Sequence, residues 1–386
     1  MDAKTLQPGG GFQLPPQAYY CESWFEREWK SVFESGWIFV GIVQELPKPN
    51  SFKTLQLGRH PIVITRDKDG DLHALHNVCR HRGCKVAHGE GDTRSLTCPY
   101  HFWNYKLDGS LHRVPKPEEY YEFDKTEFGL HCLGIDTFWG MIFVNLDPEC
   151  ESLDSWLQGF AGAVHEKGVQ PEKLALLEFR EYPADSNWKF MIENHVDCLH
   201  VPFLHPRTNN WEFDNLFYSY CGPHHVSHYP YDKSPKDLTP LPGLQWDYPA
   251  FGSNVLFPNV ITIIWEGVCN FMHIQPVSAE KSIWRWYILG HEHSDPSDFI
   301  RFYEQVIVED VEAAVKRVSV VEDDLVFFDQ LTKETVTVFL EEFEYLGAND
   351  CHIFLEARDG PSIQITAIGF FGFDEFPGFD GPNELI

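Results

Sequence analysis

Asn77-Val78-Cys79-Arg80-His81-Arg82-Gly83 and Cys98-Pro99-Tyr100-His101-Phe102-Trp103 decide how this chain is read. Each stretch supplies one Cys and one His from a turn, and sixteen residues separate His81 from Cys98. Two kinds of metal centre take two thiolates and two imidazoles. Zinc holds them in a tetrahedron, typically with a Cys knuckle beside a separate His pair. A His-ligated two-iron, two-sulfide cluster puts both thiolates on one iron and both imidazoles on the other. With one Cys and one His per loop, each iron receives one ligand from each loop. That arrangement favours the cluster. Such a cluster moves one electron and makes no bonds, so alone it predicts an electron carrier.

A second constellation argues for more. Residues 193–206 read Glu193-Asn194-His195-Val196-Asp197-Cys198-Leu199-His200-Val201-Pro202-Phe203-Leu204-His205-Pro206. Glu193, Asp197 and His200 share one helical stripe at i, i+4 and i+7. His205 lies off that stripe, and Pro202 predicts that the helix ends or bends before it. His200 and His205 then converge on one ion from different backbone segments. Two imidazoles and one carboxylate make the facial triad that leaves positions open at a non-heme Fe(II). The best carboxylate is Asp324, in Val321-Glu322-Asp323-Asp324-Leu325. Asp323 is its adjacent rival, and Glu356 and Asp359 are outside candidates.

Together these motifs resemble the Rieske non-heme iron oxygenases, and within them the oxygenase (alpha) component. Leu14-Pro15, Trp37, Arg66 to Gly70 and Phe143 to Asp147 also fall in family order. The resemblance implies that Cys79 and Cys98 bind one iron of a [2Fe–2S] cluster, and His81 and His101 the other. Asn194, Asp197, His200 and His205 fill the family pattern Asn-x-x-Asp-x-x-His-x-x-x-x-His. The family's third iron ligand is an Asp more than a hundred residues later, usually in an acidic doublet on a long helix, and Asp324 matches it. Asp197 is implied to bridge His101 of one subunit to His200 of the next, with Asn194 in support, in a head-to-tail homotrimer or an α3β3 assembly. A mononuclear Fe(II), O2 as co-substrate and a separate reductase, with or without a ferredoxin, are implied as well. NAD(P)H would act only through that reductase, because no flavin or nucleotide motif is present. The implied substrate is a small organic molecule, aromatic or alkylammonium, which is hydroxylated or oxidatively dealkylated. The respiratory members carry an extra disulfide in these loops; here Tyr100 stands where the partner of Cys84 would be, so Cys84 is expected to be a buried free thiol. An electron carrier or redox sensor, or a zinc-binding module, would leave the Asp/His/His pattern unexplained.

The chain has 386 residues, enough for about two domains. Acids outnumber bases 58 to 30, for a net charge of −28, which disfavours nucleic acid and anionic membranes as partners. The first twenty residues lack the apolar core of a signal peptide. No stretch approaches the ~18 apolar residues of a spanning helix. A soluble, cytoplasmic protein is expected, with its ten cysteines as thiols or metal ligands. The expected class is α+β: an arm and helix over 1–36, an antiparallel β cluster domain over 37–148, and a helix-grip-like catalytic domain over 149–386. Ser23 with Glu26 reads as a capping box. Asp69-Gly70 and Asp108-Gly109 read as hairpin turns. Residues 254–264, 269–276 and 283–290 read as strands, and 299–345 as a long helix. His224, His225 and His228 read as a solvated loop, His195 as structural, and Trp284 to Tyr287 as core or pocket lining.

Overall fold

The computed structural model describes residues 14–160, 170–196, 201–205, 217–221, 224–228, 252–265, 268–293 and 295–321. Residues 32–177, with 289–293, form one compact unit. The described residues before 32, from 178 to 288 and from 295 on form the other.

The first unit is antiparallel β. Its strands are β1 (Ile38–Ile42), β2 (Ser51–Leu57), β3 (His60–Arg66), β4 (Leu72–His76), β5 (Glu90–Asp92), β6 (Leu96–Thr97), β7 (Asn104–Tyr105), β8 (Leu111–Arg113), β9 (Cys132–Phe138) and β10 (Met141–Asn145). Seven make one sheet in the order β1-β10-β9-β4-β3-β2-β5, and β6-β7-β8 make a second. Both predicted hairpin turns are present, joining β3 to β4 and β7 to β8. The second needs its glycine: Gly109 has φ +85°, and a Cβ there would come within 2.7 Å of Leu75 Cδ2. At one end of the large sheet β1 is buried throughout. The helical turn Leu153–Trp156 covers it, with Trp156 against Phe143 and the Trp37 indole donating to the Glu151 carbonyl. At the other end β5 is exposed throughout and, among the described residues, pairs only with β2.

The second unit is α+β. A short helix α1 (Gln17–Tyr20) leads into α2 (Glu22–Glu28). The expected capping box does not form. Cys21 is extended between the two helices, so α2 starts before Ser23, which lies inside its first turn. Strands β11 (Ala175–Ala184), β12 (Phe217–Cys221), β13 (His224–His228), β14 (Gly252–Leu256), β15 (Val260–Trp265), β16 (Val268–Ser278) and β17 (Lys281–Gly290) form a sheet in the order β11-β17-β16-β15-β14-β13-β12. The segment read as one strand at 254–264 is the β14–β15 hairpin. The segment read as a solvated loop is β13; His224 is buried there, its Nδ1 accepting the Phe257 N–H. Trp284, Trp286 and Tyr287 are core.

Helices α3 (Trp188–Val196), α4 (Val201–Leu204) and α5 (Ser297–Val321) complete the unit, with α3 packed against α5 and over β14 and β16. Asn187 Oδ1 accepts the Lys189 N–H and caps α3, while its Nδ2 donates to the Tyr19 and Ala279 carbonyls. Ile300, Tyr303, Ile307 and Asp310 are buried at i, i+3, i+7 and i+10, so α5 turns one stripe inward. No helix among the described residues is long and apolar enough to cross a membrane.

Candidate metal centres

The first donor set lies in the β unit. The loop after β4 closes on itself, with Cys79 N–H donating to the Cys84 carbonyl at 2.8 Å and Gly83 N–H to the Cys79 carbonyl at 2.9 Å. The loop from β6 to β7 does the same, with Cys98 N–H on Trp103 at 2.8 Å and Phe102 N–H on Cys98 at 3.1 Å. Both cysteines belong to the buried core of the unit, beside Leu75, Leu96, Trp103 and Tyr105. The His81 and His101 rings are half-exposed and their centroids lie 4.6 Å apart. Trp103 stacks on His81 at 5.0 Å. Tyr105 Oη accepts the Arg80 N–H at 3.0 Å and lies 3.3 Å from Cys79 Sγ, which leaves its hydroxyl hydrogen to point at the sulfur. Burial pushes the Cys79 thiol up, opposed by the Tyr105 hydrogen bond.

One observation tests the fit of a cluster. Buried polar atoms almost always have a partner. His81 Nδ1 and His101 Nδ1 are both buried and have none. Two partnerless imidazole nitrogens on adjacent rings, beside two buried thiols, are a donor set waiting for an electrophile. Half-exposed imidazoles and buried thiols match a His-ligated cluster. Cys84 is free, as expected, though half-buried rather than buried.

The second donor set lies in the α+β unit. His205 follows α4 directly and is 1% exposed. Its Nε2 lies 2.9 Å from Asp310 Oδ1, and its Nδ1 lies 2.7 Å from Glu309 Oε2. Asn194, from α3, donates to the same Asp310 oxygen at 2.8 Å. Two donors each about 2.1 Å from one ion, at right angles, are about 3 Å apart, so His205 Nε2 and Asp310 Oδ1 are spaced as neighbouring ligands. Burial pulls His205 down, but the hydrogen bonds and charges of Asp310 and Glu309 outweigh it and hold the ring up. That is the electrostatics of a place that favours a cation.

Of the residues expected from sequence, Cys79, His81, Cys98 and His101 come together, and Asn194 and His205 come together. Asp197, His200 and Asp324 lie outside the described residues, as does Asp323. Among the described residues no group of three or more His, Cys, Asp or Glu is disposed to hold one ion. A cluster iron needs only two protein ligands, and His200, which the sequence reading offers for the second site, is not among the described residues. Asp310 and Glu309 escaped the sequence reading. Their signal was there: an acidic doublet on a long helix, with Asp310 in line with Ile300, Tyr303 and Ile307.

Comparison with known proteins decides the family. Residues 36–133 match the Rieske [2Fe-2S] domain, and residues 171–330 match the catalytic domain of the ring hydroxylating alpha subunit. The chain is 31% identical over 330 residues to the carnitine monooxygenase oxygenase subunit of Acinetobacter baumannii, covering 78% of this chain and 85% of that one. The chain belongs to the Rieske non-heme iron oxygenases. The glycine betaine monooxygenase oxygenase subunit of Pseudomonas aeruginosa is 36% identical over 194 residues, 50% of this oxygenase and only 44% of that protein. A solved quaternary ammonium Rieske monooxygenase superposes with a TM-score of 0.72 at 26% identity, covering 81% of this chain and 87% of the other. Naphthalene 1,2-dioxygenase from Rhodococcus shares the fold, at a TM-score of 0.66 and 20% identity.

Proposed function

We propose that this chain is the terminal oxygenase component of a multicomponent Rieske system. It takes electrons from a separate reductase, with or without a ferredoxin, and uses O2 to hydroxylate or oxidatively dealkylate a small organic substrate. An alkylammonium compound is the first class to test, because similarity to a carnitine monooxygenase subunit runs over most of both chains. An aromatic substrate is the second; the anthranilate 1,2-dioxygenase large subunit of Acinetobacter baylyi is 37% identical over 187 residues.

The observation that carries this reading is the presence of two separately built donor sets, the Cys/His loops and the His205–Asp310 pair. When bound, the cluster supplies single electrons and the mononuclear Fe(II) activates O2. Cys79, His81, Cys98 and His101 would hold the cluster. His200, His205 and Asp310 would hold the iron, with Asp310 taking the place that sequence spacing gave to Asp324. Asn194 would steady Asp310. Asp197 would accept from His200 and from a partner subunit's cluster histidine, fixing the ligand ring across a trimer interface. A cytoplasmic homotrimer, or an α3β3 assembly, would bring these groups within reach of each other.

The anaerobically purified chain should carry about three irons and about two sulfides, with the electron paramagnetic resonance of a His-ligated cluster. Asp310→Asn should lose the mononuclear iron and keep the cluster signal. Asp324→Asn should keep both, and loss of iron there but not in Asp310→Asn would make Asp324 the ligand. Two irons that stay two after Fe(II) is added to the wild type would leave an electron carrier in place of the oxygenase.

A further inference from the structure

We infer that Glu309 is a positioning residue for the mononuclear site, holding the His205 ring so that Nε2 alone faces the ion. The inference rests on the reading of His205 and Asp310 as ligands.

The geometry assigns the two carboxylates of the doublet different tasks. Asp310 is buried, meets Nε2 and is steadied by Asn194. Glu309 is about a quarter exposed and meets the other nitrogen, Nδ1, at 2.7 Å. A neutral imidazole has one N–H and one lone pair. Both nitrogens face carboxylates, but an ion held by Asp310 would need the Nε2 lone pair, and Glu309, which can only accept, then takes the hydrogen on Nδ1. Glu309 is itself held. Gln305, one turn earlier on α5, donates its Nε2 to Glu309 Oε1 at 3.1 Å. The chain Gln305–Glu309–His205 therefore fixes tautomer and ring angle from one face of one helix. A carboxylate behind a ligand imidazole also raises its basicity, and removing such a partner commonly costs 10–100-fold in metal affinity.

The test uses the full chain with its cluster in place, and near-ultraviolet circular dichroism, to which the buried Trp188, Trp284 and Trp286 of the second unit contribute, reports that its fold is intact. Co(II) is bound at the mononuclear site. Its ligand-field spectrum and its affinity in chelator competition are compared for the wild type, Glu309→Ala, Glu309→Gln and Asp310→Asn. Glu309→Ala should bind roughly 10–100-fold more weakly. Glu309→Gln, whose amide oxygen still accepts from Nδ1, should recover most of that loss. Asp310→Asn should lose Co(II) altogether, which tests the underlying reading by itself. Wild-type affinity in Glu309→Ala, beside a dead Asp310→Asn, would sink the inference and leave the reading standing. Complete loss in both Glu309 variants would make Glu309 a ligand and overturn its positioning role. Wild-type binding by Asp310→Asn would overturn the reading of the site.

Discussion

Tyr105, on β7, holds the start of the first metal loop, through the Arg80 amide and the Cys79 sulfur. A hydrogen bond to a cluster sulfur stabilises the more negative, reduced state. Tyr105→Phe is therefore expected to lower the cluster's reduction potential, by an amount on the order of tens of millivolts, without loss of iron. Protein-film voltammetry on the purified chain measures it, and an unchanged potential would exclude that bond from tuning the cluster. At this scale the gathering of Cys79, His81, Cys98 and His101 was legible because their chemistry is rare and their spacing specific. Tyr105 was not, because nothing in its neighbourhood distinguishes it from the many other core aromatics. Asp310 was missed for a different reason. The helix predicted over 299–345 carries acidic runs at Glu309-Asp310, Glu322 to Asp324 and Glu341-Glu342, and distance in sequence does not say which one turns inward.

Helix α3 carries Asn194 into the second site, and its placement depends on a buried ion pair. Lys189 bonds both oxygens of Glu28 from α2, at 2.7 and 2.8 Å, and neither side chain is more than 2% exposed. The Trp24 and Trp188 indoles donate to the same carboxylate, and Tyr19 donates to Glu193 one turn further along α3. Breaking a buried pair by removing one partner costs about 3–5 kcal/mol, since a charge is left without compensation. Lys189→Met should lower the urea midpoint accordingly. The double variant Glu28→Gln/Lys189→Met should recover part of the loss, because no uncompensated charge stays buried and the amide oxygen still accepts from one of the two indoles. Equal midpoints for the single variant and the wild type would show that the pair does not hold α3. The hairpin turns were legible as local sequence. The α2 start was not, because the break at Cys21 comes from how α1 meets α2 and leaves no mark in the Ser23–Glu26 spacing.

At the scale of the whole molecule, the order of the two metal motifs along the chain was enough to place it in its family. How subunits meet is a matter for experiment. If electrons cross from the cluster of one subunit to the iron of the next, a chain without a cluster and a chain without a mononuclear iron should complement each other. Co-expressed Cys79→Ser and Asp310→Asn chains, each inactive alone, are then expected to regain turnover when they assemble together. No recovery in isolated mixed assemblies would show that both metals must belong to one chain. The open strand β5 bears on such assemblies too. An unpaired strand edge is a template on which another chain can add a strand. Here that template is three residues long and displays Glu90 beside Asp92, which pairs with Lys48, so Glu90 of two copies repels along it. Salt screens that repulsion, so at molar ionic strength the preparation should begin to cloud from this edge while the sheet itself stays intact.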